Sequence, residues 1–258
     1  MIQCRLRAPG PASGKRISEA LPNPIVNSSA HMPRDPEHSP VTATSLFWNG
    51  LICTSVLGAY FGYRRFLRRI PTAVNVPDRI LKKQTMLGYV VSVGDADNFR
   101  FFHTPGGYLA GWGWLRPTPR VNERGITDQT IMIRLDGVDA PELAHFGKPA
   151  QKYSHDALNW LRNYILGRRV RIVPLAKDQY SRLVAEARVW KWNGLRNVSR
   201  DMLRAGWCTV YEGKTGAEFN GLETQFRMLE QQAKRRRVGM WKSGKHLESP
   251  AEYKRRLR

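Results

Sequence analysis

A chain of 258 residues, 41% of them hydrophobic, can bury a real core, and nothing along it marks a boundary between two equal domains. Its 42 Lys and Arg against 21 Asp and Glu give a formal net charge of +21, so the chain repels itself and attracts polyanions: nucleic acid or the anionic face of a membrane. Only three cysteines occur, Cys4, Cys53 and Cys208, and their spacing is that of neither a metal site, a redox pair nor a disulfide framework.

Residues 1–44 are rich in Pro, Ser, Asn and Ala and poor in bulky apolar side chains, so this segment is expected to be disordered. Arg5, Arg7, Lys15 and Arg16 precede the first acidic residue, Glu19, as in a mitochondrial presequence, yet Pro9 and Pro11 interrupt the amphipathic helix a presequence needs. Presequence and plain disordered tail both stand as readings.

Residues 45–63 carry no charge and one Asn, and at 1.5 Å per residue such a helix nearly spans a hydrocarbon core; a single transmembrane helix is predicted there. Arg64, Arg65, Arg68 and Arg69 follow at once, and Trp48, Tyr60, Phe61 and Tyr63 lie towards the ends of the stretch. By the positive-inside rule the remainder of the chain stays on the cytosolic or matrix side. Residues 64–84 then read as a basic juxtamembrane linker.

From residue 85 to about 242 the pattern changes to short alternating runs and amphipathic stretches, the mark of one α+β unit. Strand composition recurs at 85–93, 97–103, 130–138, 168–175 and 182–190; in the last, Leu183, Ala185, Ala187 and Val189 alternate with Val184, Glu186 and Arg188. Ala157, Trp160, Leu161, Tyr164 and Ile165 recur at helical spacing before Gly167, and further helices are predicted near 197–205 and 217–237. Three strands, a helix, two strands and then helices fit a five-stranded OB-type β-barrel closed by about three helices. The Gly- and Pro-rich stretch 104–129 is a long loop between the second and third strands. Its Trp112, Trp114, Arg116 and Arg120 suit base stacking and phosphate binding, or equally an insertion packed on the barrel or on lipid. Residues 243–258 form a polar basic tail.

Three turns of this barrel gather charge. Arg134, Asp136, Asp139 and Glu142 stand at the end of an apolar strand where Pro141 turns the chain; Asp95 and Asp97 lie between the first two strands, and Asp178 and Arg182 between the last two. Phosphodiester hydrolysis needs a positive frame for the phosphorane, a polarising cation and a base for water, and this set can supply all three. Carboxylates without nearby His or Cys suit Ca²⁺ or Mg²⁺ better than zinc. Taken singly, each group could equally be a turn cap or a surface ion pair.

The segments DAD at Asp95–Asp97, RLDGVDAPE at Arg134–Glu142 and YSR at Tyr180–Arg182, with LRAGWCTVY and EQQAKRRRVGMW later in the chain, resemble the staphylococcal-nuclease family in order and spacing from about residue 87 to 241. With its apolar N-terminal helix and inserted loop the chain looks like the fungal, membrane-anchored, mitochondrial endonuclease branch. The resemblance implies that Arg134, Glu142 and Arg182 are catalytic, that Asp97 and Asp139 bind calcium, that DNA or RNA is the substrate, and that cleavage leaves a 3′-phosphate. No obligate protein partner is inferred. Ala96, Asn98, Ala140 and Ser181 depart from the family's usual Gly, Thr, Thr and Gly. A nuclease-like module that only binds nucleic acid or a partner protein is the other reading, and a basic protein that organises anionic lipid is a third that leaves the clustered carboxylates unexplained.

Overall fold

The computed structural model describes residues 42–144, 147–213, 218–244 and 248–256. The presequence motif lies outside the described residues, as does all but the end of the segment expected to be disordered. Of that end, Ala43 and Thr44 already belong to helix α1, Ala43–Gly62, which continues as one π-helical turn over Tyr63–Leu67. Compact units divide within α1, after Gly50.

The prediction of a transmembrane helix over 45–63 is corrected here. A helix forms over that stretch and exposes Leu46, Phe47, Trp48, Leu51 and Ile52, but among the described residues no helix is long and apolar enough to cross a membrane. At 20 residues α1 has the length; what falls short is apolarity, diluted by Asn49, by Gly50 and Gly58, and by Ser45, Thr54 and Ser55. Two of these hydroxyls turn back on the backbone, Ser45 to the Thr42 carbonyl and Ser55 to the Leu51 carbonyl, each at 2.8 Å.

Beyond the linker the chain builds a closed barrel. Strands β1 (Met86–Asp95), β2 (Asn98–His103) and β3 (Ile131–Leu135) form an antiparallel meander. Helix α2 (Ser154–Ile165) leads into β5 (Arg169–Lys177) and β6 (Leu183–Lys191), with a short strand β4 (Val138–Asp139) before it. β5 pairs with β1, and β6 pairs with β5 on one side and in parallel with β3 on the other, so five strands close in the order β3-β2-β1-β5-β6. This is the OB-type arrangement expected from element order. Alternate residues fill its interior, with Phe99, Phe101, Ile131, Ile133, Ile172 and Leu183 sealed from solvent, as is Leu161 of α2. Gly88 is required by close approach: a Cβ there would lie 2.3 Å from the Phe101 ring, and β1 bends just beyond, where its register with β2 slips.

Two departures from the sequence reading matter for the site. The third strand was expected to run unbroken over 130–138, but it stops at Leu135; Asp136 and Gly137 turn it, and β4 resumes as a separate pair with β8 (Thr209–Val210). Gly137 makes the break with φ +59° and a backbone so close to Phe219 that a Cβ would sit 2.5 Å from that ring. The second departure is at the end: the tail 243–258, taken as a basic appendage, contains helix α5 (Pro250–Arg256), whose Tyr253 is buried.

A further strand, β7 (Gly194–Asn197), extends β6 as a hairpin through the exposed Trp192 turn. Helices α3 (Val198–Ala205) and α4 (Glu223–Arg236) cover one side of the barrel. They are pinned through two glycines: Met240 donates its N–H to the Gly206 carbonyl at 2.9 Å, and Gly239 lies so close that a Cβ would be 2.3 Å from the same oxygen.

The inserted loop 104–129 is packed on the barrel. Trp112 is buried, donates its indole N–H to the Pro105 carbonyl at 3.0 Å and stands edge-on to Phe102 in a small second core with Val91 and Ile126. Arg116 stacks over its ring at 3.9 Å, so Trp112 and Arg116 are structural. The loop leaves the barrel beyond the Phe101–Ile131 pair, whereas the Asn98–Arg134 pair is at the opposite end of the same two strands.

Candidate active site

At that opposite end three turns converge. The β1–β2 hairpin reverses through Ala96 and Asp97, with Asp95 paired to Asn98 and the Asp95 carboxylate accepting the Ala96 N–H at 2.8 Å. β3 delivers Arg134 from its last turn-facing position beside Asn98, and β4 carries Asp139 towards the same place. The β5–β6 turn presents Arg182, whose Nε donates to Asp178 Oδ2 at 2.6 Å while Asp178 Oδ1 accepts the backbone N–H groups of Tyr180 and Arg182. Ser181, in place of a glycine, adopts φ +56° to close this turn.

The structure brings the five predicted residues into one chain of contacts. Arg134 Nη2 lies 3.5 Å from Asp97 Oδ2 and 3.6 Å from Asp139 Oδ1. Asn98 joins the other half: its amide nitrogen donates to Asp97 Oδ1 at 2.5 Å, and its oxygen accepts from Arg182 Nη1 at 3.5 Å. Glu142 enters through its backbone and its side chain. Its N–H donates to Gln151 Oε1 at 3.2 Å, its carbonyl accepts the Gln151 N–H at 2.8 Å, and its carboxylate meets Lys254 Nζ at 2.8 Å. Lys254 also meets Asp139 Oδ1 at 2.7 Å.

Electrostatics follow from burial among charges. Burial pushes Asp95 up to about 6, with Asp97 adding repulsion, and pushes Asp139 up to about 6 against the pull of Lys254 and with further repulsion from Asp97. Burial works against the charge of Arg134, but Asp97 and Asp139 outweigh it and hold the guanidinium above its ordinary value. Beside these groups a pocket of about 210 Å³ opens between Ser92, Asp95, Asn98, Arg100, Met132 and Arg182.

Asp136, grouped by sequence with the site residues, belongs elsewhere. Its side chain is sealed in the interior, accepting the Ser199 hydroxyl at 2.6 Å at the start of α3, with its second oxygen unpaired. Burial pushes it from 3.8 up to about 7, opposed by the Ser199 bond and reinforced by Glu186. The folded state therefore holds this proton more tightly than the unfolded chain does: the stability involved is complete below about pH 4 and drains away as pH rises through 7. Asp136→Asn stays neutral throughout, so its melting temperature relative to wild type is expected to move in the variant's favour between about pH 4 and about pH 7, as scanning calorimetry would read.

Three contributors escaped the sequence reading. Asn98 figured only as a departure from a threonine, Asp178 only as a carboxylate in a turn, and Lys254 only as one of several basic residues in a tail. Nothing local marks Lys254; only the docking of α5 brings it 115 positions back along the chain to Asp139.

Fit to a metal can be judged from the carboxylates. Among the described residues no group of three or more His, Cys, Asp and Glu is placed to hold a metal ion. What the site offers is two buried carboxylates, Asp97 and Asp139, turned towards one guanidinium nitrogen, Arg134 Nη2, that is itself buried and makes no hydrogen bond. Two hard oxygen donors around a loosely held cation fit a Ca²⁺ or Mg²⁺ ion whose remaining ligands are water, backbone and substrate.

A closed barrel whose rim sets forked arginines and an acidic side chain around buried carboxylates is the construction of a phosphodiester-hydrolysing nuclease. The family profile described as "Staphylococcal nuclease homologue" matches residues 132–243, which takes in Arg134, Asp139, Glu142 and Arg182. The chain is 47% identical over 224 residues to a "Probable endonuclease LCL3" of Yarrowia lipolytica, covering 87% of this chain and 99% of the relative. Proteins of the same name from Clavispora lusitaniae and Candida albicans (strain SC5314) are 54% and 52% identical over 198 and 205 residues. These alignments cover 76% and 79% of this chain and 84% and 87% of the relatives. This chain belongs to the staphylococcal-nuclease family.

Proposed function

We propose that the protein is a calcium-dependent endonuclease that hydrolyses DNA, RNA or both with little sequence preference, leaving a 3′-phosphate, and that it works attached to a mitochondrial membrane. The observation that carries the catalytic part is the unbroken contact chain from Arg182 through Asn98, Asp97, Arg134 and Asp139 to Lys254 and Glu142.

In this reading Arg134 and Arg182 bind the equatorial oxygens of the scissile phosphate with their forked N–H donors, each aimed by a carboxylate or amide behind it. Glu142 takes a proton from the attacking water; the new P–O bond forms as the bond to the leaving 5′ oxygen breaks, and that oxygen takes a proton from solvent. Asp97 and Asp139 would hold calcium, which when bound polarises the phosphoryl oxygen. All these groups address phosphate rather than base edges, which accounts for weak sequence preference.

Membrane attachment rests on the exposed apolar side chains of α1, followed by Arg64, Arg65 and Arg68 at headgroup level. Alkaline extraction of membranes tests it: release of the protein marks a surface attachment, and recovery only in detergent marks a deeper one.

The catalytic reading is tested by digesting single-stranded DNA, duplex DNA and RNA with the full chain in calcium or in EGTA. Cleavage in calcium that stops in EGTA is expected. Binding of all three nucleic acids without cleavage of any would leave a binding module in place of the enzyme.

A further inference from the structure

The C-terminal helix α5 is seated on the segment that carries the catalytic Glu142. Tyr253 is buried and its hydroxyl donates to the Pro149 carbonyl, while Gln151, already paired with the Glu142 backbone, donates its side-chain N–H to the Glu248 carbonyl at 2.7 Å. The next residue after Tyr253 is Lys254. Its ammonium contacts Asp139 Oδ1 at 2.7 Å and Glu142 Oε1 at 2.8 Å, closer than Arg134 comes to the same Asp139 oxygen at 3.6 Å.

We propose that Lys254 is the resident counter-cation of the catalytic carboxylates, and that a divalent ion must displace it from Asp139, so that the C-terminal helix holds down the calcium affinity of the site. The inference rests on the calcium reading above. A calcium ion takes carboxylate oxygens at about 2.3–2.6 Å, so an ion on the Asp139 oxygen that holds the ammonium would stand close beside that ammonium. A +2 ion beside a +1 ammonium in a partly buried site repels it strongly. Glu142 would retain the ammonium when Asp139 gives it up, which keeps Lys254 near the phosphate. Lys254 is thus a positioning residue, acting through the carboxylates rather than on the substrate.

The test is calcium titration of the full chain by calorimetry, without nucleic acid, together with the melting temperature in EGTA. For Lys254→Met, calcium is expected to bind roughly tenfold more tightly, the scale of one charge removed beside the ion. The same variant should melt lower than wild type in EGTA, because Asp139 has lost its closest cation. Lys254→Arg keeps the charge and should stay near wild type. Tyr253→Ala, which removes the anchor of α5 and leaves Lys254 itself intact, should also tighten calcium binding. A wild type that binds calcium with an affinity that Lys254→Met leaves unchanged or weakens overturns the inference while the calcium reading stands. Absence of calcium binding in every variant overturns the calcium reading and the inference with it.

Discussion

Glu142→Gln is expected to lower kcat by about 10³-fold on any nucleic acid the wild type cuts, with KM changed little. The replacement is nearly isosteric, and the features that place residue 142 are kept: its N–H and carbonyl are both held by Gln151, and Pro141 still turns the chain after β4. What disappears is the ability to accept a proton from water. A Gln carbonyl can still orient a water molecule, so loss of turnover without loss of binding separates base chemistry from positioning. The charge lost to Lys254 is a side effect with its own signature, since Lys254 keeps Asp139 at 2.7 Å. Steady-state kinetics with a short labelled oligonucleotide gives both constants. A kcat within tenfold of wild type would remove Glu142 from the role of base and leave the arginines and the metal as the source of rate.

Much of this arrangement was legible in the sequence because the barrel strands obey a period of two. Leu183, Ala185, Ala187 and Val189 mark the inner face of β6, and each is sealed in the core. Arg134, Asp139 and Arg182 lie next to turns whose composition announces them: Asp-Gly after β3, and Asp-Gln-Tyr-Ser before β6. What escaped was set by tertiary contact. The break of the third strand needed the approach of Phe219 to Gly137, a contact 82 positions away in a part of the chain with no strand pattern to register it. The apolar run 45–63 drew a transmembrane reading from its lack of charge, whereas its Asn49, Gly and hydroxyl residues count against apolarity without changing charge at all. The tail looked like solvated basic sequence because Tyr253 is its single anchoring aromatic, and periodicity cannot be read from one residue.

Arg134→Ala should be more damaging than loss of Arg182, because it acts on both activity and stability. In the proposed mechanism Arg134 and Arg182 each offer a fork to the phosphate, and removing one such preorganised donor group is expected to cost about 10²–10³-fold in kcat. Their surroundings differ. Arg182 is paired with Asp178, which also accepts two backbone N–H groups and so stays satisfied without the guanidinium. Arg134 stands between Asp97 and Asp139, whose side chains are only 7% and 4% exposed. Its removal leaves Asp97 with the Asn98 amide and Asp139 with Lys254 as their nearest partners, and two buried carboxylates that repel one another. Breaking a buried ion pair from one side costs about 3 kcal/mol, so in EGTA Arg134→Ala is expected to melt well below both wild type and Arg182→Ala. Saturating calcium should return part of that loss, because the ion replaces the missing positive charge between the same two carboxylates, so calcium should raise the melting temperature of Arg134→Ala by more than that of Arg182→Ala, which keeps the site and should respond as wild type does. Melting temperatures of the two variants with and without calcium therefore test the metal position independently of any turnover. An Arg134→Ala response no larger than that of wild type would mean that Arg134 and the ion do not share Asp97 and Asp139.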